Sequence, residues 1–325
     1  MANGYRVKAF GGPEVMIWEA LNLGDLAPGA VRVRVGASGI NFAETRMRAG
    51  DYSGQELPFV MGMEVAGTVE QIGDGVSGLA VGDRVFGRVR GAHAEVVDCD
   101  PEHLMLLPDN LSFEQGAAIP VGWLTAWHAL YTVGGMQAGD RVLIEAVGGS
   151  VGSAALALAK QAGCWTVGTA SRDDKLEHAL ALGCDATVNY RNTSVSGQVS
   201  ALTGGKGMDI GLMTIGDATA DELIDSMGMD GRVVMFGSTG GRDITFNLRI
   251  GILNIQLLSM SISTSPAFMT RTMPEFRAQA LPLFASGELV PVVDTVLPMS
   301  ELARAHEMVD ERTHFGKVIL FNESK

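Results

Sequence analysis

The chain has 325 residues, of which 46% are hydrophobic and 19% charged, and a formal net charge of −13. That balance describes a globular protein with enough chain for two domains or one large one, and its acidity excludes an extended nucleic-acid surface. Cys99, Cys164 and Cys184 are too few and too scattered for a disulfide framework or a thiolate-rich zinc centre.

Met1–Gly12 lacks the basic start and apolar core of a signal peptide, so a cytoplasmic location is the expectation. Through residue 118 the chain carries short strand-like runs, Val31–Val35, Val65–Ile72 and Arg84–Phe86, separated by Gly, Pro, Asp and Asn. This pattern predicts an irregular, mostly β domain. From Ile119 strands alternate with helices, the strands being Arg141–Ala146, Trp165–Ala170, Ala186–Tyr190, Met208–Met213 and Arg232–Phe236. Such alternation implies an α/β domain with a parallel, doubly wound sheet. Leu257–Ser263 is its expected sixth strand. Ile250–Thr270 is uncharged for about a membrane-spanning length, but Asn254, Gln256 and repeated serines favour a buried strand with its loops. Helices at Pro274–Ser286 and Ser300–Asp310 and a strand at Lys317–Phe321 are too few for a third domain. The tail therefore returns to the first domain, giving 1–118 with 264–325 as one unit and 119–263 as the other.

The most informative stretch is Arg141–Gly163. Val142, Leu143 and Ile144 form a continuous apolar strand, and Ser153–Gln161 is free of Gly and Pro and helix-prone. Between them lies Val147-Gly148-Gly149-Ser150-Val151-Gly152. Glycines in such a turn admit a diphosphate, and the first free N–H groups of the helix carry partial positive charge toward it. A dinucleotide site on Gly149, Ser150, Val151 and Gly152 is the natural reading. The same letters fit G-x-S-x-G, the nucleophile elbow of serine hydrolases, which needs an acid and a histidine downstream. Only His178, His306 and His314 are available, and no stretch presents one as a partner. A tight turn that binds nothing is the third reading.

About twenty residues after Gly152, where NAD-binding chains place an acid on the ribose hydroxyls, the sequence reads Ser171-Arg172, with Lys175 nearby. A hydroxyl and two cations there favour NADPH over NADH. Asp173 and Asp174 read equally as N-terminal acids of the helix Asp174–Leu182, and Lys175 as a solvated helix lysine. Ligands of doubly wound sheets bind beyond the carboxyl ends of the strands, which adds Tyr190, facing the adenosine 2′-phosphate, and Phe236-Gly237-Ser238. His93 and His128 have no ligand spacing and read as structural histidines.

Six stretches in order carry a resemblance. They are Phe10-Gly11-Gly12-Pro13-Glu14-Val15, Gly39-Ile40-Asn41-Phe42, Arg48-Ala49-Gly50-Asp51-Tyr52, Gly62-Met63-Glu64-Val65-Ala66-Gly67, Val81-Gly82-Asp83-Arg84-Val85, and the strand–glycine–helix unit, followed by Gly316-Lys317-Val318. Over its whole length the chain resembles the medium-chain dehydrogenase/reductase superfamily, in its zinc-independent quinone oxidoreductase (zeta-crystallin-like) branch with the enoyl-reductase relatives. The resemblance implies a GroES-like catalytic domain built from both chain ends, a Rossmann domain, and an active site in the cleft between them. Where the zinc alcohol dehydrogenases have a cysteine and a histidine as ligands, this chain has Asn41 and Met63. An amide and a thioether do not replace thiolate and imidazole on zinc, so no catalytic metal is expected. Val147 stands where the branch has alanine, Ser150 where it often has glycine, and Met213 where many relatives carry an acid.

Reducing an isolated carbonyl concentrates charge on one oxygen and calls for a Lewis acid, whereas a conjugated acceptor spreads charge into an enolate or hydroquinone anion. The expected activity is NADPH-dependent reduction of a quinone or α,β-unsaturated carbonyl. An enoyl-thioester reductase and a non-catalytic NADPH-binding protein are the alternatives. By the resemblance, Asn41 orients the nicotinamide ribose or polarises the substrate oxygen, Tyr52 donates a proton, Thr125 touches the nicotinamide, and Ser171, Lys175 and Tyr190 bind the 2′-phosphate. Glu64 is given a structural role. The open edge of Leu257–Ser263 makes a homodimer the expected assembly, with neither nucleic acid nor membrane as partner.

Overall fold

The computed structural model describes residues 2–52, 54–241 and 243–323. Its contacts divide into two units, the described parts of 1–121 with 281–325, and 122–280.

In chain order the first unit begins with β1 (Ala2–Val7), β2 (Met16–Leu21), β3 (Val31–Gly39), α1 (Phe42–Ala49), β4 (Phe59–Val60), β5 (Val65–Ile72), β6 (Arg84–Gly87), β7 (Val96–Cys99), β8 (Leu104–Leu106) and α2 (Phe113–Ala117). Next comes α3 (Pro120–Trp127), followed in the second unit by β9 (Arg141–Ile144), α4 (Ser150–Gln161), β10 (Trp165–Ala170), α5 (Asp173–Ala181), β11 (Ala186–Asn189) and α6 (Val195–Thr203). That unit continues through β12 (Met208–Met213), α7 (Ala220–Asp225), β13 (Met227–Met235), α8 (Arg249–Ile252), β14 (Gln256–Ser259) and α9 (Met273–Gln279). The chain then returns to the first unit as α10 (Leu281–Ser286), β15 (Val293–Pro298), α11 (Leu302–Asp310) and β16 (Lys317–Phe321).

In the first unit β3 is central, pairing with β5, β7 and β16, all antiparallel. Alternation puts Val31, Val33 and Val35 inward, where they join Val65, Val85, Leu302, Val318 and Leu320 in one core. Ile319 pairs with Gly39 and Ile40 N–H donates to the Val318 carbonyl at 3.0 Å. The last strand is thereby fixed against the residues that open α1, so Lys317 lies beside Asn41.

The second unit holds a parallel six-stranded sheet in the order β11-β10-β9-β12-β13-β14. This is the doubly wound order with its reversal at β9, and Val142, Leu143 and Ile144 are buried there as an apolar parallel strand requires. The α/β class and the mostly β GroES-like companion expected from sequence are both present.

Local differences have physical causes. β9 stops at Ile144 because Ala146 turns into the left-handed region, φ 49°. The helix expected over 274–286 is two, α9 and α10, since Pro282 at the start of α10 lacks the N–H that a continuous helix would use. Residues 264–280 group with the second unit because Phe276 packs edge-on to Trp127 at 5.6 Å and Phe268 to His128 at 6.0 Å. β14 is shorter than its expected span. Among the described residues no helix is long and apolar enough to cross a membrane.

Candidate functional site

Asn41 is the N-cap of α1, yet its side chain makes no capping bond. It is drawn instead into a buried polar knot. Asn41 Nδ2 donates to Glu44 Oε1 at 2.9 Å and to Glu64 Oε1 at 2.8 Å, while Oδ1 accepts from Lys317 Nζ at 2.6 Å. Lys317 also pairs with Glu64 Oε1, and Glu64 Oε2 accepts the Val121 N–H at 2.8 Å near the start of α3. Glu44 and Glu64 are fully buried and Lys317 is 2% exposed. Gly39 makes room: a Cβ there would run into the Glu64 carboxylate and come within 2.5 Å of Lys317 Cε.

On the far side of Glu44, Oε2 meets His93 Nε2 at 2.7 Å, and His93 Nδ1 meets Ser38 Oγ at 2.9 Å. Burial raises the Glu44 pKa, but the His93 ring and the Asn41 amide outweigh it and hold the carboxyl below its usual value. His306 lies within reach of the same group, and burial drives its pKa down to about 4.

The knot revises the role expected of Asn41. Both amide hydrogens are committed to carboxylates, so the side chain has no donor left to polarise a substrate oxygen. One lone pair of Oδ1 remains, which makes Asn41 an acceptor. Met63 lines a cavity of ≈ 250 Å³ together with Arg88, Arg90, Cys99 and His103. Tyr52 is 38% exposed just past the left-handed Gly50 cap of α1. Burial and Arg90 lower the Arg88 pKa, while Tyr52 and Glu64 act the other way, so one guanidinium senses both.

In the second unit, Gly149 caps α4 without a side-chain bond, leaving the first N–H groups of a 12-residue helix open. A Cβ at Gly152 would collide with the Ala146 carbonyl and lie 2.8 Å from Val147 Cα, so glycine is required for α4 to start this close to β9. Ser150 Oγ is buried with no hydrogen-bond partner among the described residues. An uncapped helix start, a glycine turn and an orphaned hydroxyl fit a diphosphate. The hydrolase reading fails because, among the described residues, no histidine stands against that hydroxyl.

Strand register aligns the other expected residues along one edge of the sheet. Ala170 pairs with Asn189 and Met213 with Met235, so Ser171, Tyr190 and Phe236–Ser238 all follow the carboxyl ends of neighbouring strands. Arg172 forms a bidentate pair with Asp174, at 2.9 and 2.8 Å, and both are exposed. Lys175 is half-buried on α5, and Thr125 is 7% exposed on α3. Tyr190 lines a small cavity of ≈ 50 Å³ with Glu145, Thr169 and Glu222.

Glu145 escaped the sequence reading. It follows β9, is buried, and accepts Thr214 N–H at 2.8 Å, Ile215 N–H at 2.9 Å and Thr219 Oγ1 at 2.5 Å, pinning the loop after β12. Burial raises its pKa against these three bonds. Lys317, Glu44 and His306 also escaped it, because the side chains they meet across the fold, Asn41 for Lys317 and His93 for Glu44 and His306, lie far away in sequence.

Comparison with known proteins finds the alcohol dehydrogenase GroES-like domain over residues 27–110 and the zinc-binding dehydrogenase domain over residues 150–286. The chain is 32% identical to human quinone oxidoreductase, over 97% of this chain and 96% of that one. It is 34% identical to a segment of the pikromycin polyketide synthase component PikAII of Streptomyces venezuelae, over 91% of this chain but 8% of that one. The solved structure of Escherichia coli quinone oxidoreductase complexed with NADPH superposes with a TM-score of 0.86, at 30% identity, covering 98% of this chain and 99% of that one.

Proposed function

Because the chain belongs to the medium-chain dehydrogenase/reductase superfamily, in its quinone oxidoreductase branch, and is an oxidoreductase, we propose that it uses NADPH to reduce a quinone or an α,β-unsaturated carbonyl without catalytic zinc. The observation that carries this reading is the knot around Asn41. Where zinc relatives place a metal ligand, this chain has an amide whose two hydrogens are held by Glu44 and Glu64 and whose oxygen is held by Lys317.

A bound nicotinamide supplies the hydride. The chain's residues orient and polarise. Gly149–Gly152 and the Ser150 hydroxyl receive the diphosphate, while Ser171, Arg172, Lys175 and Tyr190 receive the 2′-phosphate. Arg172 would exchange Asp174 for that phosphate. Thr125 and Phe236–Ser238 would hold the nicotinamide half, and the free lone pair of Asn41 Oδ1 would accept a ribose hydroxyl. Tyr52 donates a hydrogen bond or proton to the enolate oxygen, where charge collects after attack at the conjugated carbon. The exposed edge of β14 pairs with a second subunit, and sedimentation showing only monomer at micromolar concentration would overturn that assembly.

An acceptor panel tests the reading. NADPH oxidation with a quinone or an enone, and none with a simple aldehyde, is the expected result; turnover of the aldehyde alone contradicts it. The exposed Tyr52 phenol and the match to a polyketide synthase segment support a second reading, an enoyl-thioester reductase. Reduction of crotonyl-CoA that is lost in Tyr52→Phe would favour it.

A further inference from the structure

Three side chains outside the hydride chemistry converge in the interior of the first unit. Glu44 on α1, His93 in the segment before β7 and His306 on α11 each present a ligand atom, and these atoms lie within 4.8 Å of one another. Among the described residues they are the one such group, and each is fully buried.

His306 is the anomaly. Both of its ring nitrogens are buried without a hydrogen-bond partner among the described residues. A buried imidazole left unpaired at both nitrogens is rare in native proteins and signals a missing water or ion. An imidazole in its neutral form offers one ring nitrogen as an open lone pair.

We propose that Glu44 Oε2, His93 Nε2 and a ring nitrogen of His306 bind one divalent transition-metal ion, Zn²⁺ in the first instance, with water as the fourth ligand. Two imidazoles and a carboxylate are a familiar borderline donor set for zinc. Part of the outer shell is in place: Ser38 Oγ meets His93 Nδ1 at 2.9 Å, and Asn41 holds Glu44 Oε1, so the other polar atoms of His93 and Glu44 are already oriented. The metal replaces the proton between Glu44 and His93, opening their 2.7 Å contact toward the tetrahedral edge of about 3.3 Å that metal–ligand bonds of ~2.0 Å require. Arg48 and Asp310 stand nearby but pair with each other at 3.2 Å, so neither charge acts alone. The site ties α1 to α11, and thus the beginning of the chain to its end. It is distinct from the Asn41 and Met63 positions and stands whether or not the proposed hydride transfer does.

The test is metal uptake by the full chain, without substrate. Wild type is loaded with Zn²⁺ or Co²⁺ both by titration and by refolding in the metal, and His306→Gln, His93→Gln and the surface control His178→Gln are treated alike. The expected result is one equivalent bound, ligand-field bands of four-coordinate Co²⁺, and a Tm that rises until one equivalent is reached. His178→Gln should match wild type, while the other two variants lose uptake. X-ray absorption on loaded wild type should find two imidazoles, which keeps the test decisive if a variant misfolds. No saturable uptake, meaning that water alone satisfies His306, would overturn the proposal. So would undiminished uptake in a folded His306→Gln, or a sulfur-ligated ion.

Discussion

Lys317 Nζ donates to Asn41 Oδ1 at 2.6 Å, joining residues 276 positions apart in a pocket where both are almost fully buried. The same ammonium pairs with Glu64, so the last strand of the chain holds the amide that opens α1. Removing the ammonium as Lys317→Met leaves a buried carboxylate uncompensated, at a cost of about 3–5 kcal/mol. Urea unfolding measures this loss. Pairing the change with Glu64→Gln should recover part of it, because the uncompensated charge is then gone.

Asn41→Asp is expected to be worse than Asn41→Ala. It would place a third carboxylate against Glu44 and Glu64, replacing two donated hydrogen bonds by like-charge repulsion. Thermal unfolding of the two variants side by side decides the order, and equal Tm values would contradict the observed amide orientation.

In the turn between β9 and α4, Ala146 adopts φ 49°, a region that costs an L-residue about 1–2 kcal/mol. After glycine's entropic cost of roughly 0.5–1 kcal/mol, Ala146→Gly should be neutral or slightly stabilising. Gly152→Ala should be the opposite. Its methyl meets backbone rather than a flexible side chain, so both stability and dinucleotide affinity should fall together, read by Tm and by NADPH fluorescence titration.

Arg172→Ala should weaken NADPH by about 10-fold or more and leave NADH nearly unchanged, since a charge-assisted bidentate contact of ~1.5–3 kcal/mol is removed only where the phosphate is present. Asp174→Ala should act weakly in the other direction. The pair it breaks is exposed, and such pairs contribute ~0–1 kcal/mol. Ratios of kcat/KM for the two cofactors give both answers.

Acid sensitivity follows from two carboxylates. Burial would raise the pKa of Asp209 and Asp185, but Arg141 holds Asp209, and Lys160 with Thr166 holds Asp185, below the usual 3.8. A folded pKa below the unfolded one means that the unfolded chain binds more protons as pH falls. The stability these groups add is therefore full above that usual value and is lost below it, as pH drops through the folded values. Asp209→Asn should lower stability at neutral pH and flatten its decline at acid pH.

Much of this was legible in the chain. The run Val142–Ile144, the glycines of 148–152 and the helix-prone segment after them specify strand, turn and helix by local chemistry, and the alternation that follows specifies the parallel sheet. The polar knot was not legible. Asn41 and Glu44 are near in sequence, but Lys317 and Glu64 reach them only through the pairing of β16 with β3 and of β3 with β5. His93 and His306 have no spacing that betrays them, because their meeting depends on α11 packing against α1 and the core. Glu145 was hidden for a different reason: it sits at the end of an apolar strand, and two of its three partners are backbone N–H groups that no sequence pattern displays.

The central claim is that reduction proceeds without a catalytic metal. The most direct measurement is NADPH oxidation with a quinone by protein freed of metal with a strong chelator, its fold checked by circular dichroism, before and after one equivalent of Zn²⁺ is restored. The account predicts the same turnover in both states at a temperature where the metal-free protein is folded. Turnover abolished in a folded, metal-free protein and restored by Zn²⁺ would contradict it.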